Sequence, residues 1–191
     1  MSEAVMTIRT ERTPNPNSLK YNLGRVLIPG GSANFPTVES CETRSPLAKR
    51  LFVVKGVSGV YIGSDFVTIT KDEDANWQDI NAELAPALEE FFESGDSALT
   101  GSAPAEEQEI GAETADPELV ARIKQLIEEK VRPAVAQDGG DICYRGFENG
   151  IVYLEMKGAC SGCPSSSITL KQGVEGMLTH YCPEVTGVEA L

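Results

Sequence analysis

Short runs in which apolar and polar residues alternate dominate the first 71 residues, and this period of two is typical of half-buried strands. Ser45 and Pro46 predict the start of a short helix, because serine caps helix N-termini and proline suits the first helical position. The predicted strands cover 6–10, 19–23, 26–28, 57–62 and 66–70, the last two joined by a hairpin turn at 63–65. The pattern therefore predicts a small α+β unit in this region.

The period changes to helical after Asn76, where apolar residues recur three or four positions apart up to Phe92. Pro86 lies inside this pattern and is predicted to kink or split the helix. Residues 93–115 are then rich in Gly, Ser, Ala and Glu and contain no Lys or Arg. Because such a composition buries too little apolar surface to offset the entropy of ordering, 93–115 is predicted to be a flexible acidic linker after a domain at 1–92.

A second domain is predicted at 116–191, beginning with a helix that Asp116 caps and Pro117 opens. Pro133 is expected to disturb this helix late, and the glycines at 139–140 to end it. The elements predicted after it are strands at 142–147 and 151–156 around an Asn-Gly turn, a CxxC loop, a helix to about 180 and a last strand at 186–191. The expected fold class is α+β, with two small α/β-mixed domains joined by the linker.

The CxxC loop of the second domain carries the most distinctive chemistry in the chain. Residues 158–167 are GACSGCPSSS, so Cys160 and Cys163 lie three residues apart where a strand pattern gives way to a helix pattern. Pro164 suits the first helical position, and the partial positive charge of a helix N-terminus favours thiolate over thiol. Thiolate is the form that binds metals or attacks disulfides. The loop therefore predicts metal or redox chemistry.

Composition and charge exclude several other functions. The chain has 16 Lys and Arg against 29 Asp and Glu, a net charge of −13, which argues against nucleic acid or an anionic membrane as partner. No apolar run approaches the roughly 18–20 residues of a membrane span. The first 18 residues match neither a signal peptide nor a transit peptide, so the chain is expected to be cytoplasmic, or already processed. Five cysteines in a reducing compartment argue against a disulfide framework.

Two thiolates do not complete a metal site, since structural zinc and iron–sulfur clusters each take four N or S ligands. Cys143 and Cys182 could complete the set, two chains could each supply a CxxC pair, or the pair could cycle as a dithiol without metal. Cys143 falls in a strand pattern, and Cys182 lies roughly 25 Å along a helix from Cys163. A dithiol enzyme of the thioredoxin type needs a central parallel strand before the CxxC, which the predicted hairpin does not supply. Sharing across a dimer is therefore favoured, with the other two arrangements still open.

Several motifs resemble one protein family. DGGDI at 138–142, GACSGCPSSS at 158–167 and HYCPEV at 180–185 are similar to the C-terminal domain of NifU, also called the Nfu domain. TPNPNSLKY, GSANF and SPLAKRLFVVKGVSGVYIGSDFVTITK, within 6–92, resemble the N-terminal domain found in Nfu-type proteins. The resemblance covers nearly the whole chain except the linker.

This resemblance implies an iron–sulfur scaffold or carrier and not an enzyme. It implies a [4Fe–4S] cluster, with [2Fe–2S] as the other form, held between the Cys160 and Cys163 pairs of two subunits. Cys143 and Cys182 have no ligand counterpart in the family pattern, and Cys41 stands alone in a predicted polar loop. The implied partners are apo iron–sulfur client proteins, an upstream assembly scaffold and a second copy of the chain, in a bacterial cytoplasm or a mitochondrial matrix. A dithiol–disulfide oxidoreductase is the alternative, and a zinc-stapled interaction module ranks lower.

Overall fold

A computed structural model describes residues 8–29, 31–100, 110, 116–161 and 164–191, without the side chains of 164–169. The chain divides into two compact units, residues 1–104 and 105–191. Each unit combines helices with a sheet, so the predicted α+β class is confirmed. Among the helices in these ranges, none is long and apolar enough to cross a membrane.

The first unit contains a five-stranded sheet in which every neighbouring pair is antiparallel. The spatial order is β1-β2-β5-β4-β3, and the predicted β4–β5 hairpin is present. The strands are β1 (Arg9–Arg12), β2 (Ser18–Asn22), β3 (Ala33–Phe35), β4 (Val57–Ile62) and β5 (Phe66–Lys71). Of the strand predicted at 6–10, residues 6 and 7 lie outside the described part, and the observed strand starts at Arg9.

The strand predicted at 26–28 is wrong. The backbone N–H groups of Leu27 and Ile28 both donate to the Ser64 carbonyl in the β4–β5 hairpin loop, at 2.6 and 3.3 Å. These amides therefore bond to one turn instead of a neighbouring strand, and Val26 points outward with 67% of its surface exposed. The local apolar run predicted a strand, but its hydrogen-bond partner came from a distant loop.

Three helices pack with this sheet: α1 (Val38–Cys41), α2 (Pro46–Phe52) and α3 (Trp77–Ser94). The predicted cap of α2 is confirmed, because the Ser45 hydroxyl accepts a hydrogen bond from the Ala48 N–H at 2.9 Å. Helix α3 continues through Pro86 without splitting. Pro86 and the residue four positions before it, Ala82, lie on the exposed face, where water can satisfy the carbonyl that proline leaves without a helical partner.

The first unit extends further along the chain than the predicted linker start at residue 93 allows. Helix α3 extends to Ser94, and the residues after it stay on the first unit. Ala98 is buried, its carbonyl accepts from the Ser45 hydroxyl at 2.6 Å, and the Thr100 N–H donates to the Arg44 carbonyl at 2.9 Å. Residues 93–100 are thus part of the first unit, because the Ser45 hydroxyl and the Arg44 carbonyl form hydrogen bonds with them. Residues 101–109 and 111–115 of the predicted linker lie outside the described residues.

The second unit follows the predicted order of helix, hairpin, helix and strand. Its three-stranded sheet has the order β6-β7-β8, with β6–β7 antiparallel and β7–β8 parallel. Asn149 and Gly150 form the hairpin turn with φ values of 52° and 83°, as the Asn-Gly signal predicts. The elements are α4 (Pro117–Leu126), α5 (Arg132–Gln137), β6 (Gly140–Glu148), β7 (Ile151–Gly158), α6 (Pro164–Tyr181) and β8 (Gly187–Ala190).

A π-helical turn at Ile127–Val131 joins α4 to α5. Proline at 133 has no N–H to donate and its ring crowds the carbonyl four residues earlier, so the regular ladder cannot continue there. The Arg132 N–H instead donates to the Ile127 carbonyl, five residues back. The late disturbance predicted at Pro133 is therefore present as a widened turn.

Candidate metal centre

The cysteine loop lies where the middle strand of the second sheet ends. Strand β7 finishes at Gly158, helix α6 begins at Pro164, and β8 then pairs in parallel beside β7. In α/β arrangements, loops at the carboxyl ends of parallel strands are the usual ligand sites. The predicted hairpin alone gave the CxxC no preceding strand with a parallel neighbour, but β8, which follows α6, supplies that neighbour within a sheet of three strands.

Cys160 is buried, with 6% of its surface exposed, and packs against the backbone of Gly140. A Cβ placed on Gly140 would lie 2.5 Å from the Cys160 sulfur and 2.9 Å from the Lys157 carbonyl oxygen. Only a residue without a side chain leaves this space for the thiol. The two glycines at 139–140 were predicted only to end the helix, although a single glycine suffices for that purpose.

Gly139 supports the same loop from its backbone. Its φ of 77° is in the left-handed region that glycine adopts without strain, and its carbonyl accepts a hydrogen bond from the Ala159 N–H at 3.1 Å. Gly140 and Gly158 face each other at the end of the β6–β7 ladder. The glycine pair therefore holds the first turn of the cysteine loop against the start of β6.

The rest of the predicted site is only partly covered by the structure. Cys163 and Gly162 lie outside the described residues, as do the side chains of Ser165, Ser166 and Ser167. Within the described ranges, no group of three or more His, Cys, Asp or Glu side chains is placed to hold a metal ion. The described part of one chain therefore brings Cys160 to the loop without a further cluster of ligands around it.

The other cysteines of the second unit, Cys143 and Cys182, have surroundings typical of side chains that only pack. Cys182 is fully buried beyond the end of α6, and burial raises the pKa of its thiol. Cys143 lies on β6 opposite Glu155 and is partly exposed. Burial, with the nearby Asp141 carboxylate as the next cause, raises the pKa of Cys143. Both environments favour the protonated thiol, which is the poorer metal ligand.

Cys41, in the first unit, is not in a polar loop as predicted. It ends α1 with no exposed surface, and its S–H lies 3.0 Å from the Val38 carbonyl oxygen. Burial raises the pKa of this thiol as well. The helix start at Val38 escaped sequence reasoning because α1 is a single turn, too short for a periodic pattern.

An ion pair with a buried carboxylate lies next to Gly140, the residue against which the Cys160 thiol packs. The Arg132 Nε donates to Asp141 Oδ1 at 2.8 Å, and a second guanidinium nitrogen donates to Oδ2 at 2.8 Å. Asp141 also accepts from the Ile142 N–H, and the side-chain hydrogen bond with Asp141 raises the pKa of Arg132. Asp141 therefore links the start of β6 to the start of α5. Its partner Arg132 was missed, because no local signal connects a helix residue to a strand nine positions later.

These features define a class: a two-unit α+β protein with a cysteine loop between a middle strand and a helix. The domain described as "Scaffold protein Nfu/NifU N terminal" matches residues 8–95, and the "NifU-like domain" matches residues 123–189. The chain therefore belongs to the Nfu-type scaffold family, as the motifs predicted.

Two sequence relatives agree with this assignment. "NifU-like protein 4, mitochondrial" of Arabidopsis thaliana is 50% identical over 186 residues, which is 96% of this chain and 65% of the relative. "NFU1 iron-sulfur cluster scaffold homolog, mitochondrial" of Homo sapiens is 45% identical over 185 residues, covering 96% of this chain and 71% of the relative. A solution NMR structure of a NifU-like protein from Saccharomyces cerevisiae, 28% identical, matches 53% of this chain and 92% of that chain with a TM-score of 0.48. The chain thus spans about two thirds of the Arabidopsis protein.

Proposed function

We propose that this protein is an iron–sulfur cluster carrier that holds a [4Fe–4S] cluster through Cys160 and Cys163 of two chains and delivers it to apo-proteins. The observation that carries the proposal is the position of Cys160, at the carboxyl end of β7 and immediately before α6. The family assignment supports it, since one relative is named an iron–sulfur cluster scaffold homolog. The cluster is the cargo of the protein, so no catalytic step on a substrate is part of the proposal.

The number of thiolates that the cluster needs explains why a second chain takes part. A [4Fe–4S] cluster takes four thiolates, whereas the CxxC loop of one chain supplies two. A two-fold pair of chains completes the set with identical loops. Two ligands from each chain also suit transfer, because a client cysteine can replace one thiolate at a time.

For such sharing, the Cys160 side chain must rotate so that its thiol leaves the Gly140 backbone. In the described conformation it has 6% of its surface exposed, which is too little for a cluster that contacts a second chain. The Cys160 side chain therefore has an inward position in the free protein and takes an outward position when it binds the cluster. The absence of a side chain at Gly140 leaves the space that the inward position of the thiol needs.

The proposed partners follow from this chemistry. They are apo iron–sulfur clients, an upstream assembly scaffold that supplies the cluster, and the second copy of the chain. The proposed compartment keeps thiols reduced: a bacterial cytoplasm or a mitochondrial matrix, and the names of the Arabidopsis and human relatives include the word mitochondrial.

A second candidate is a dithiol–disulfide oxidoreductase using the same cysteines. The parallel pairing of β7 with β8 favours it, because the CxxC then follows a middle strand at its carboxyl end. In this alternative one thiolate attacks a disulfide substrate and the second thiol resolves the mixed disulfide, so that the pair is oxidised as the substrate is reduced.

Anaerobic reconstitution of the full chain with iron and sulfide tests the proposal. We expect four iron atoms per two chains, a Mössbauer spectrum typical of [4Fe–4S], and elution as a dimer that reverts to monomer when a chelator removes the iron. A chain that stays monomeric with four iron atoms would overturn the shared site and bring Cys143 or Cys182 back as a ligand. A chain that binds no iron yet reduces a model disulfide would establish the oxidoreductase instead.

A further inference from the structure

Ile110 forms an isolated bridge with the outer edge of β6. Its N–H donates to the Arg145 carbonyl at 2.7 Å, and its own carbonyl accepts from the Phe147 N–H at 3.2 Å. The bridge is parallel and is centred on Gly146. Two backbone hydrogen bonds thus flank a single strand residue, the arrangement of one rung in a parallel ladder. Ile110 belongs to the second unit through this pairing.

Gly146 is required for the close approach. A Cβ on Gly146 would overlap the Ile110 carbonyl oxygen and would lie 2.5 Å from the Ile110 Cβ. The β6–β7 register also shifts between Tyr144 and Gly146, which leaves Arg145 as the extra residue of a bulge. The same residue supplies the carbonyl that receives the Ile110 N–H. A glycine and a bulge, two departures from regular strand structure, therefore coincide at the Ile110 contact.

The composition of the segment singles out Ile110. Residues 101–115 are GSAPAEEQEIGAETA, in which Ile110 is the single aliphatic residue larger than alanine. Its side chain is half-buried at the bridge. At this position the predicted flexible linker is instead paired with a strand of the second unit.

Strand β6 is an edge of the three-stranded sheet, and edge strands present N–H and C=O groups that can pair with any extended chain. We propose that the β6 edge at Arg145, Gly146 and Phe147 is a docking site for an extended segment with one aliphatic residue. Its occupant in the free protein is the chain's own segment at Ile110. This intramolecular pairing holds Ile110 on the cysteine-bearing unit and covers the edge at Gly146 against another chain.

Amide hydrogen exchange on the full-length apo-protein tests the docking. Gly146→Ala fills the space that Ile110 needs, and Ile110→Pro removes the N–H that Arg145 accepts. In both variants residue 110 should leave the β6 edge and take its carbonyl away from the Phe147 amide, which should then exchange faster by on the order of tenfold. The Leu154 amide, within the hairpin, should keep its protection. Gly173→Ala is the matched control, since nothing lies within 4 Å of its added Cβ.

Each result decides the proposal. Unchanged exchange at Phe147 in both variants would overturn it. If Gly146→Ala also exposes Leu154, the hairpin itself is damaged, and Ile110→Pro alone decides. A synthetic peptide of residues 106–115 added to the Ile110→Pro chain should restore protection at Phe147, while the same peptide with glycine in place of isoleucine should not. Equal restoration by both peptides would show that the edge binds backbone only and would overturn the requirement for an aliphatic residue.

Discussion

The two units use the same ingredients, a sheet with helices, but connect them differently. The first sheet is antiparallel throughout, and its tight β4–β5 connection at 63–65 is a turn. The second contains one parallel pair, β7 and β8, so the chain must leave β7, cross through α6 and return in the same direction. This crossover places a loop at the carboxyl end of a middle strand. A parallel connection thus creates a place for ligands that a hairpin does not.

Buried cysteines in the two units show the same contrast. Cys41 is fully buried within a helical turn, and its S–H is directed at the Val38 carbonyl oxygen. Cys160 is almost as buried, but it rests on the backbone of Gly140 at a strand–helix junction. Burial alone therefore does not separate a packed thiol from the proposed cluster ligand. The position of the residue at the junction, with a second cysteine three residues later, separates them.

The largest expected difference between the units concerns iron loading. Cys160→Ser and Cys163→Ser should each abolish cluster binding in anaerobic reconstitution, because each change removes two of four ligands from a dimer. Cys41→Ser is the matched control in the first unit and should load iron like the unchanged chain. Iron and sulfide are measured per chain after gel filtration. Equal losses for Cys182→Ser would contradict the assignment of two ligands per chain.

A core truncation should distinguish the stabilities of the units. Leu84→Ala removes a fully buried side chain of α3 and should destabilise the first unit by about 2–5 kcal/mol. Trp77, the single tryptophan of the chain, lies at the start of α3, so its fluorescence reports this transition in urea. The matching change Leu178→Ala lies in the second unit and should leave the Trp77 midpoint unchanged. A shift of that midpoint by Leu178→Ala would mean that the units unfold as one.

The ion pairs of the two units should differ by a smaller amount. Asp141 is buried beneath Arg132, whereas Arg50 and Glu90 form their pair on the surface. Asp141→Asn removes the bidentate partner of Arg132 but leaves its exposed contact with Glu128, and it should cost about 2–3 kcal/mol, less than breaking a fully buried pair because Arg132 is partly exposed. Glu90→Gln should cost at most about 0.5 kcal/mol. Urea unfolding followed by circular dichroism measures both, and similar costs would refute the structural importance of the Arg132–Asp141 pair.

The most local expected effect concerns the alkylation rate of the Cys160 thiol, which packs against Gly140. Gly140→Ala places a methyl group where the thiol now lies, and overpacking of this kind costs roughly 1–3 kcal/mol. The thiol should therefore turn outward and be alkylated faster, on the order of tenfold, as followed by mass spectrometry of the labelled peptide. Cys182 should keep its slow rate at pH 8, because it is buried and its raised pKa lowers the thiolate fraction. An unchanged Cys160 rate would show that Gly140 does not control the thiol.

Local sequence determined the elements wherever neighbouring residues carry the interaction. Ser45 and Asp116 cap their helices by accepting from an N–H two or three residues later. The Asn149-Gly150 turn depends on the φ preferences of those two residues. The motifs around Cys160 were distinctive enough to identify the family, since chemistry and spacing there are contiguous in the chain. Each of these features is complete within a few positions, so a single sequence displays it.

Features that join distant positions were decided only by the tertiary structure. The parallel pairing of β8 with β7, the Arg132–Asp141 pair, the contact of Cys160 with Gly140 and the Ile110 bridge all depend on register between separate elements. Hydrophobic period specifies which face of an element is buried but not which element it meets. The false strand at 26–28 has the same origin, because its amides bond to a loop some 36 residues away. Long-range pairing is set by the packing of the whole unit, and no local pattern records it.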